Sequence, residues 1–438
     1  MQDVDTLIHA RWVIPVEPDD RVAEHHSIAI VDGRIAALLP TGQARREFDA
    51  REVLELGAHA LIPGMVNAHT HAAMTLFRGL ADDLPLMEWL TKHVWPAEAK
   101  WVSPEFVRDG VEHAIAEMLR GGTTCFNDMY FFPAATAQAA ETLGMRAVVG
   151  MIALDFPSAY AQGADDYLHK GLQLHDQLRH SALVTTAFAP HAPYTVSDAP
   201  LEKIRMYADE LDRPIHMHVH ETAHEVEEAM ARFGVRPLER LAQLGLLGPR
   251  LLAVHMTQLL DAEIETLARL NVHVVHCPES NLKLASGFCP VHKLLQAGVN
   301  VALGTDGAAS NNDLDMLGEM RTAALLAKGI AADATALPAH AALRMATLNG
   351  ARALGLEERI GSIVPGKAAD LAAIDLSSIG TQPVYDPVSQ LVYSATRDQV
   401  TDVWVDGKRL LAARQLTRMH EHELAQKAQA WRDKIAAS

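Results

Sequence analysis

Eight short apolar or β-branched runs recur between residue 57 and about residue 310, separated by amphipathic stretches, and this rhythm restricts the fold more than any other feature of the chain. The runs are "ALIPGMVNAH", "TTCFNDMYF", "RAVVGMIALDF", "LVTTAFAPH", "PIHMHVHE", "LLAVHMTQL", "VHVVHCPES" and "VNVALGTDG". Strands alternating with helices build βα units around a parallel sheet, because parallel neighbours need a crossover and the helix supplies it. Eight such units close a barrel. The helical stretches carry their own boundary signals. In "SPEFVRDGVEHAIAEMLRGG", Ser103 is an N-cap, Pro104 occupies the first helical position, and a glycine pair ends the segment. The predicted fold class is α/β, a (β/α)8 TIM barrel.

Both chain ends read differently, as short strands and turns. "DTLIHARWVIPV", "HSIAIVDGRIAALLP" and "REVLEL" lie before the barrel, and "GSIVPGKAADLAAIDL" and "VTDVWVDGKRLL" lie after it. Each half holds a "VDG" between apolar runs, the Asp-Gly hairpin signal. Neither half has enough strands to bury two faces alone, so the ends are expected to meet in one small flanking β-sandwich. The predicted domains are residues 1–56 plus 364–412 for the sandwich, 57–363 for a metal-dependent barrel, and 413–438 for a polar C-terminal helix.

Composition excludes several function classes. With 38 Lys and Arg against 55 Asp and Glu, the formal charge of -17 repels phosphate backbones and anionic membranes, and the basic residues are scattered. No nucleic-acid or membrane partner is expected. The N-terminus lacks a basic start with an apolar h-region, and no apolar run reaches ~18 residues. A cytoplasmic enzyme with a small-molecule substrate is the expectation. Cys125, Cys277 and Cys289 show no CxxC spacing and read as packed thiols rather than disulfides or zinc ligands.

In a barrel of this kind the chemistry sits at the C-terminal ends of the strands. The first run ends in His69 and His71, which are i and i+2 on a strand and so share a face, as two ligands of one metal ion must. With 23 histidines in 438 positions, chance alone supplies about one His-x-His pair, and the chain has four, at 69/71, 216/218, 218/220 and 420/422. The last pair, in the polar C-terminal helix, reads as two exposed imidazoles. The fifth run adds His216, His218, His220 and Glu221, the sixth His255, and the eighth Asp306. Imidazole and carboxylate suit Zn2+ and similar ions, and an accidental origin would leave each buried polar group in need of its own partner.

On the segments "PGMVNAHTH", "LFRGLADDLPLMEWL", "GGTTCFNDMYF", "APHAPYTVS", "HVHETAHEVE", "HCPESNLKLASG", "LGTDGAASNND" and "NGARALGL...GSIVPGKAADL", in order from about residue 62 to 372, the sequence resembles the amidohydrolase superfamily. Within it, the sequence resembles the 5′-methylthioadenosine/S-adenosylhomocysteine deaminase family. The resemblance implies that His69, His71, His218 and Asp306 bind the metal, with His218 selected by the His-x-x-Glu spacing, and that Glu221, His255 and Asp306 are catalytic. His216 and His220 are then expected to be packed near the site. Two-metal members carry a bridging lysine at the end of strand four. Here that strand ends "TTAFAPHAPYT", so one ion is expected, Zn2+ with Fe2+, Mn2+ or Ni2+ as alternatives. A homo-oligomer is also implied.

The implied reaction is hydrolytic deamination of an adenine nucleoside thioether to the hypoxanthine nucleoside and ammonia. A divalent ion makes water nucleophilic near pH 7. Asp306 would orient the water, Glu221 would carry a proton to N1, and His255 would stabilise the charge that develops. The resemblance assigns Glu98 and His191 to substrate contacts. Glu98 can accept two hydrogen bonds from a ribose diol, the alternative being an exposed loop glutamate. Trp89 reads equally as an apolar pocket wall and as core. S-adenosylhomocysteine-binding members place an arginine after strand three, and Met151 stands about there in this chain, which favours 5′-methylthioadenosine or adenosine. The alternatives are a deaminase or chlorohydrolase of another aminated heteroaromatic (guanine, a pyrimidine, an s-triazine) and a non-catalytic amidohydrolase-like binding protein.

Overall fold

Two Asp-Gly turns bring the ends of the chain together. In the computed structural model, which describes residues 1–18 and 20–437, the N-terminal segment forms β1 (Gln2–Val13), β2 (Ala23–Val31), β3 (Arg34–Pro40) and β4 (Phe48–Pro63). Gly33 and Gly407 both adopt positive φ, as tight hairpin turns demand. A Cβ on Gly407 would lie 2.5 Å from the Gly33 Cα, so only glycine permits the two turns to touch.

The middle of the chain forms β5 (Met65–Thr70), β6 (Thr123–Asp128), β7 (Arg146–Ala153), β8 (Val184–Pro190), β9 (Ile215–Val219), β10 (Leu251–His255), β11 (His273–His276) and β12 (Val301–Leu303). The C-terminal segment adds β13 (Leu371–Asp375), β14 (Val400–Val405), β15 (Lys408–Ala412) and β16 (Gln415–Leu416). The terminal strands pair in the order β16-β15-β14-β13-β4-β1-β2-β3. The expected small sandwich is therefore one continuous sheet. β4 serves both halves, pairing in parallel with β1 along most of its length and antiparallel with β13 from His59 to Pro63. It runs straight through residue 57, where the sequence reading sets the domain boundary. The halves share a core that includes Ile8, Ile28, Leu54, Leu371 and Trp404.

β5 to β12 pair in sequence order, and every ladder among them is parallel. Their residues are buried almost throughout, as expected of strands with helices outside and packed side chains within. The barrel closes between β12 and β5. There the Asp306 N–H donates to the His69 carbonyl (3.0 Å), while Asn67 exchanges hydrogen bonds with Thr305 through its Oδ1 (3.1 Å) and Nδ2 (2.8 Å). This seam carries two of the predicted metal ligands.

The remaining elements brace that frame. Ser103 caps the helix Pro104–Arg120 by accepting from the Phe106 N–H at 3.2 Å. The C-terminal helix, Glu421–Ala436, docks on it through buried Trp431, whose Nε1 donates to Asp109 at 3.0 Å. His420 and His422 are both exposed. Arg146, at the start of β7, forms a buried bidentate pair with Asp370 just before β13 (2.7 and 3.0 Å), tying barrel to sheet. All three cysteines are free and buried. Among the described residues no helix is long and apolar enough to cross a membrane.

Candidate active site

The seam between β12 and β5 assembles the predicted ligands. His69 lies in β5 and His71 directly after it, so both rings face the same mouth. The Nε2 atoms of His69 and His71 each lie 3.2 Å from Asp306 Oδ1, and His218 Nε2 lies 3.3 Å from His69 Nε2. The four ligand atoms fall within 4.8 Å of one another. Among the described residues this is the one such group, in keeping with a single ion.

The outer contacts aim each donor inward. His71 Nδ1 donates to the Met129 carbonyl (2.6 Å) and His218 Nδ1 to the His191 carbonyl (2.8 Å), leaving both Nε2 lone pairs directed at the centre. His69 differs, because its Nδ1 meets another imidazole, His216 Nε2, at 2.8 Å. Asp306 Oδ2 is taken up by the hydroxyls of Ser280 (2.6 Å) and Ser310 (2.9 Å), so Oδ1 alone faces the histidines.

The electrostatics call for a cation. Burial lowers the His69 pKa to about 4 and drives His216 and His218 well below the usual imidazole range. Burial also opposes charge on His71, but its hydrogen bond to Asp306 prevails and raises its pKa to about 9. The Asp306 carboxyl is held well below the carboxylate range by His69 and His71, against the effect of burial. Three imidazole nitrogens and one carboxylate oxygen, each fixed from behind, fit a divalent ion, and the four residues form a metal-binding site.

Above this cluster opens a cavity of about 590 Å3. Glu221 and His255 line its inner end, with His255 Nε2 3.9 Å from Glu221 Oε1. His255 adopts a left-handed backbone, and its Nδ1 pairs with Asn281 Oδ1 at 2.8 Å, so Nε2 faces the cavity. Burial raises the Glu221 pKa, which favours holding a proton there. The Glu221 backbone is itself clamped. Its N–H and that of His220 donate to the buried Glu225 carboxylate at 2.7 and 2.9 Å, in the first turn of the helix Ala223–Phe233 that Thr222 caps.

Glu98 and His191 also line the cavity. Glu98 sits on the helix Trp95–Trp101, which follows a π-helical turn at Leu90–Val94, a distortion common at functional sites. Burial pushes its carboxyl up to about 7, while the neighbouring Tyr130 hydroxyl pulls the other way. His191 is kept neutral, its pKa lowered to about 3 mainly by burial, and its Nδ1 lies 3.1 Å from Thr195 Oγ1. Trp89 is buried and also lines the cavity, so both of its sequence readings apply.

One expectation needs correction. Met151 does not occupy a substrate-facing position. It points outward from β7 onto the helix Ala164–Gln177, where a Cβ on Gly171 would lie 2.8 Å from the Met151 Cβ. The cavity wall near β7 is Ile152, Leu154 and Phe156 instead, and among the described residues no lysine or arginine lines the cavity. His216 and His220 lie outside the ligand group: His216 stands behind His69, and His220 Nε2 accepts from the Leu238 N–H at 3.2 Å. Ser280, Ser310, Asn281 and Glu225, which orient the functional side chains, lie inside the motif segments, but only the three-dimensional arrangement reveals their partners.

Known proteins match this chain along its whole length. Residues 60–410 match the profile of the Amidohydrolase family. A 5-methylthioadenosine/S-adenosylhomocysteine deaminase from Saccharophagus degradans is 53% identical over 433 residues, 99% of this chain and 97% of that one. The crystal structure of an adenosine deaminase from Xanthomonas campestris with bound zinc is 56% identical, with a TM-score of 0.99 and complete coverage of both chains. A zinc complex of an atrazine chlorohydrolase from Arthrobacter aurescens, 24% identical, shares the fold with a TM-score of 0.91 over 97% of this chain and 99% of that one. The chain belongs to the amidohydrolase family, in the branch defined by its 5-methylthioadenosine/S-adenosylhomocysteine deaminase relatives.

Proposed function

We propose that this protein is a Zn2+-dependent hydrolase that deaminates 5′-methylthioadenosine to the hypoxanthine nucleoside and ammonia, with adenosine as a related substrate and S-adenosylhomocysteine a poorer one. The observation that carries this reading is the character of the cavity. Its inner end offers Glu221 and His255 beside the ligand group, Glu98 and His191 offer polar contacts, and Leu86, Trp89, Leu154 and Phe156 supply apolar walls. A purine, a ribose diol and a methylthio group need those three environments. The amino-acid carboxylate of S-adenosylhomocysteine would need a cation, and none lines the cavity. The names of the close relatives support the same reaction.

In this reading His69, His71, His218 and Asp306 hold the ion. When bound, it supplies Lewis acidity that makes water nucleophilic near neutral pH. The protein's own groups do the rest. Glu98 accepts from the ribose hydroxyls and sets the purine against the inner end. Glu221, kept protonatable by burial, takes a proton from the attacking water and delivers it to N1 as the water oxygen bonds to C6. His255, oriented by Asn281, steadies the charge that develops at that oxygen. Asp306 takes the second proton and passes it to the exocyclic nitrogen. The C6–N bond then breaks, and ammonia leaves.

A substrate panel tests the assignment. Ammonia release and the adenine-to-hypoxanthine absorbance change are expected with 5′-methylthioadenosine, and Glu221→Gln is expected to lower kcat by at least ~100-fold. If guanine or a triazine turns over while no adenine nucleoside does, the substrate assignment is wrong.

A further inference from the structure

The opposite end of the barrel holds another cavity, of about 240 Å3, whose lining is basic. Four arginines contribute to it: Arg146 at the start of β7, Arg179 beyond the helix Ala164–Gln177, Arg213 just before β9, and Arg359 after the helix Leu348–Ala353. His175 and the hydroxyl residues Ser181, Thr185 and Thr186 complete its polar wall, and no carboxylate lines it. A larger cavity, of about 360 Å3, is also lined by four arginines, but Glu117, Asp398 and Glu421 share its wall, whereas no carboxylate does so here.

Two of the four already have carboxylate partners outside the cavity. Arg146 is paired with buried Asp370 and approaches Asp406 at 3.5 Å, and Arg179 meets Asp176 at 2.8 Å. The other two have no carboxylate within ion-pair distance among the described residues. Arg213 donates to the Leu211 carbonyl (3.2 Å) and to Thr185 Oγ1 (2.9 Å), and Arg359 donates to the Ala182 carbonyl (2.7 Å). Burial and the nearby Arg146 charge lower the Arg359 pKa, and the opposing pull of Asp406 and Asp370 does not cancel them. His175 Nδ1 lies 2.7 Å from Thr186 Oγ1, which leaves its other ring nitrogen free to meet a ligand.

We propose that this cavity is a binding site for a phosphate group, either free phosphate or the phosphate of a small metabolite, held by Arg213 and Arg359 with Arg146, Arg179 and His175 around it. Guanidinium forks match tetrahedral oxyanions in geometry and charge, and two unpaired ones supply the strong, bidentate part of the site. The volume equals that of about eight waters in the liquid, enough for a phosphate with part of the molecule that carries it. The site lies at the N-terminal ends of β7, β8 and β9, remote from the cluster at their C-terminal ends, so its occupant does not compete with the nucleoside.

Isothermal titration of the metal-loaded protein with inorganic phosphate, pyrophosphate and adenosine monophosphate, at fixed ionic strength, tests the proposal. Saturable one-to-one binding by at least one of the three is expected, weakened about tenfold or more in the Arg213→Gln/Arg359→Gln protein. Tightest binding by phosphate or pyrophosphate identifies the free ion as the source, and tightest binding by the monophosphate identifies a metabolite. The double variant is expected to retain wild-type turnover of the nucleoside, which separates this site from the catalytic one. Absence of saturable binding, or equal binding by wild type and the double variant, overturns the proposal. A thermal-shift comparison covers a purely structural role. If the double variant melts lower without phosphate and phosphate stabilises both proteins equally, the arginines only staple the chain.

Discussion

Replacing His216 with leucine is expected to weaken metal binding without removing any ligand. His71 and His218 are oriented by backbone carbonyls that no side-chain substitution can delete, whereas His69 depends on the His216 ring at 2.8 Å. To bind through Nε2, His69 must carry its proton on Nδ1 and donate it to His216 Nε2. His216 then carries its own proton on Nδ1, an atom buried without a partner. In the opposite arrangement His216 Nε2–H donates to His69 Nδ1, and His69 Nε2–H points at Asp306 Oδ1, 3.2 Å away, so the ligand is blocked by its own proton. Leucine leaves the His69 Nδ1–H buried and unpaired in the metal-bound form, a cost of ~1–3 kcal/mol that corresponds to roughly 10- to 100-fold in affinity. Glutamine places an amide oxygen where the His216 Nε2 stood and is expected to restore affinity to within about threefold of wild type, since it can act as acceptor throughout. Competition with a chromogenic chelator, with metal content measured after dialysis, reads the effect directly, and circular dichroism of the metal-free proteins checks that both variants fold. If the leucine variant holds metal as tightly as wild type, or glutamine is as weak as leucine, the relay through His216 does not set the state of His69.

The Glu98 carboxyl, pushed up to about 7, is protonated on the acid side of neutrality and can then no longer accept both ribose hydroxyls. KM for 5′-methylthioadenosine is therefore expected to rise as pH falls through about 7, while Glu98→Gln shows a raised KM with that pH dependence removed; steady-state profiles from pH 5.5 to 9 check this. Asp370→Asn strands buried Arg146 with only Asp406 at 3.5 Å and is expected to cost ~3 kcal/mol or more by chemical denaturation. Exchanging both members of the pair for apolar residues of similar size is expected to cost less than that single change.

The barrel was legible because its strands are buried on both faces and so appear as eight unbroken apolar runs, each ending abruptly in polar residues that burial would otherwise forbid. His69, His71, the histidines of "HMHVHE", His255 and Asp306 stand out for that reason, while the choice of His218 among the three came from the family resemblance. What the sequence hides is which neighbour meets each of them. The alternation 216, 218, 220 puts three rings on one strand face, but His220 leaves the strand with a left-handed backbone, and His216 lies one layer deeper, behind His69. Met151 shows the same limit from the other side. The position that the sequence reading placed about where relatives carry an arginine points outward onto Gly171, while its neighbour Ile152 lines the cavity. The meeting of both chain ends in one flanking β-structure was legible, but its continuity was not, because "VLELGAHALIP" belongs to one long strand that pairs with β1 as far as Leu61 while its last residues, from His59 to Pro63, also pair with β13.

In the proposed reading, charge separates the two ligand classes. The catalytic cavity contains Glu98 and Glu221 and no lysine or arginine, so a phosphate or carboxylate entering it would lose its hydration without gaining a cation beyond the metal centre. An uncompensated charge in such surroundings costs several kcal/mol, enough to exclude nucleotides by a factor of hundreds while admitting neutral nucleosides. The arginines that could receive an anion stand at the far end of the same strands. The proposed preference for an uncharged 5′ substituent rests on the cation-free lining, and adding a cation tests it: Phe156→Arg, at the cavity wall, is expected to improve kcat/KM for S-adenosylhomocysteine relative to 5′-methylthioadenosine by about tenfold, the scale of one charge-assisted contact. An unchanged ratio would mean that the amino-acid end of that substrate is excluded by shape rather than by charge.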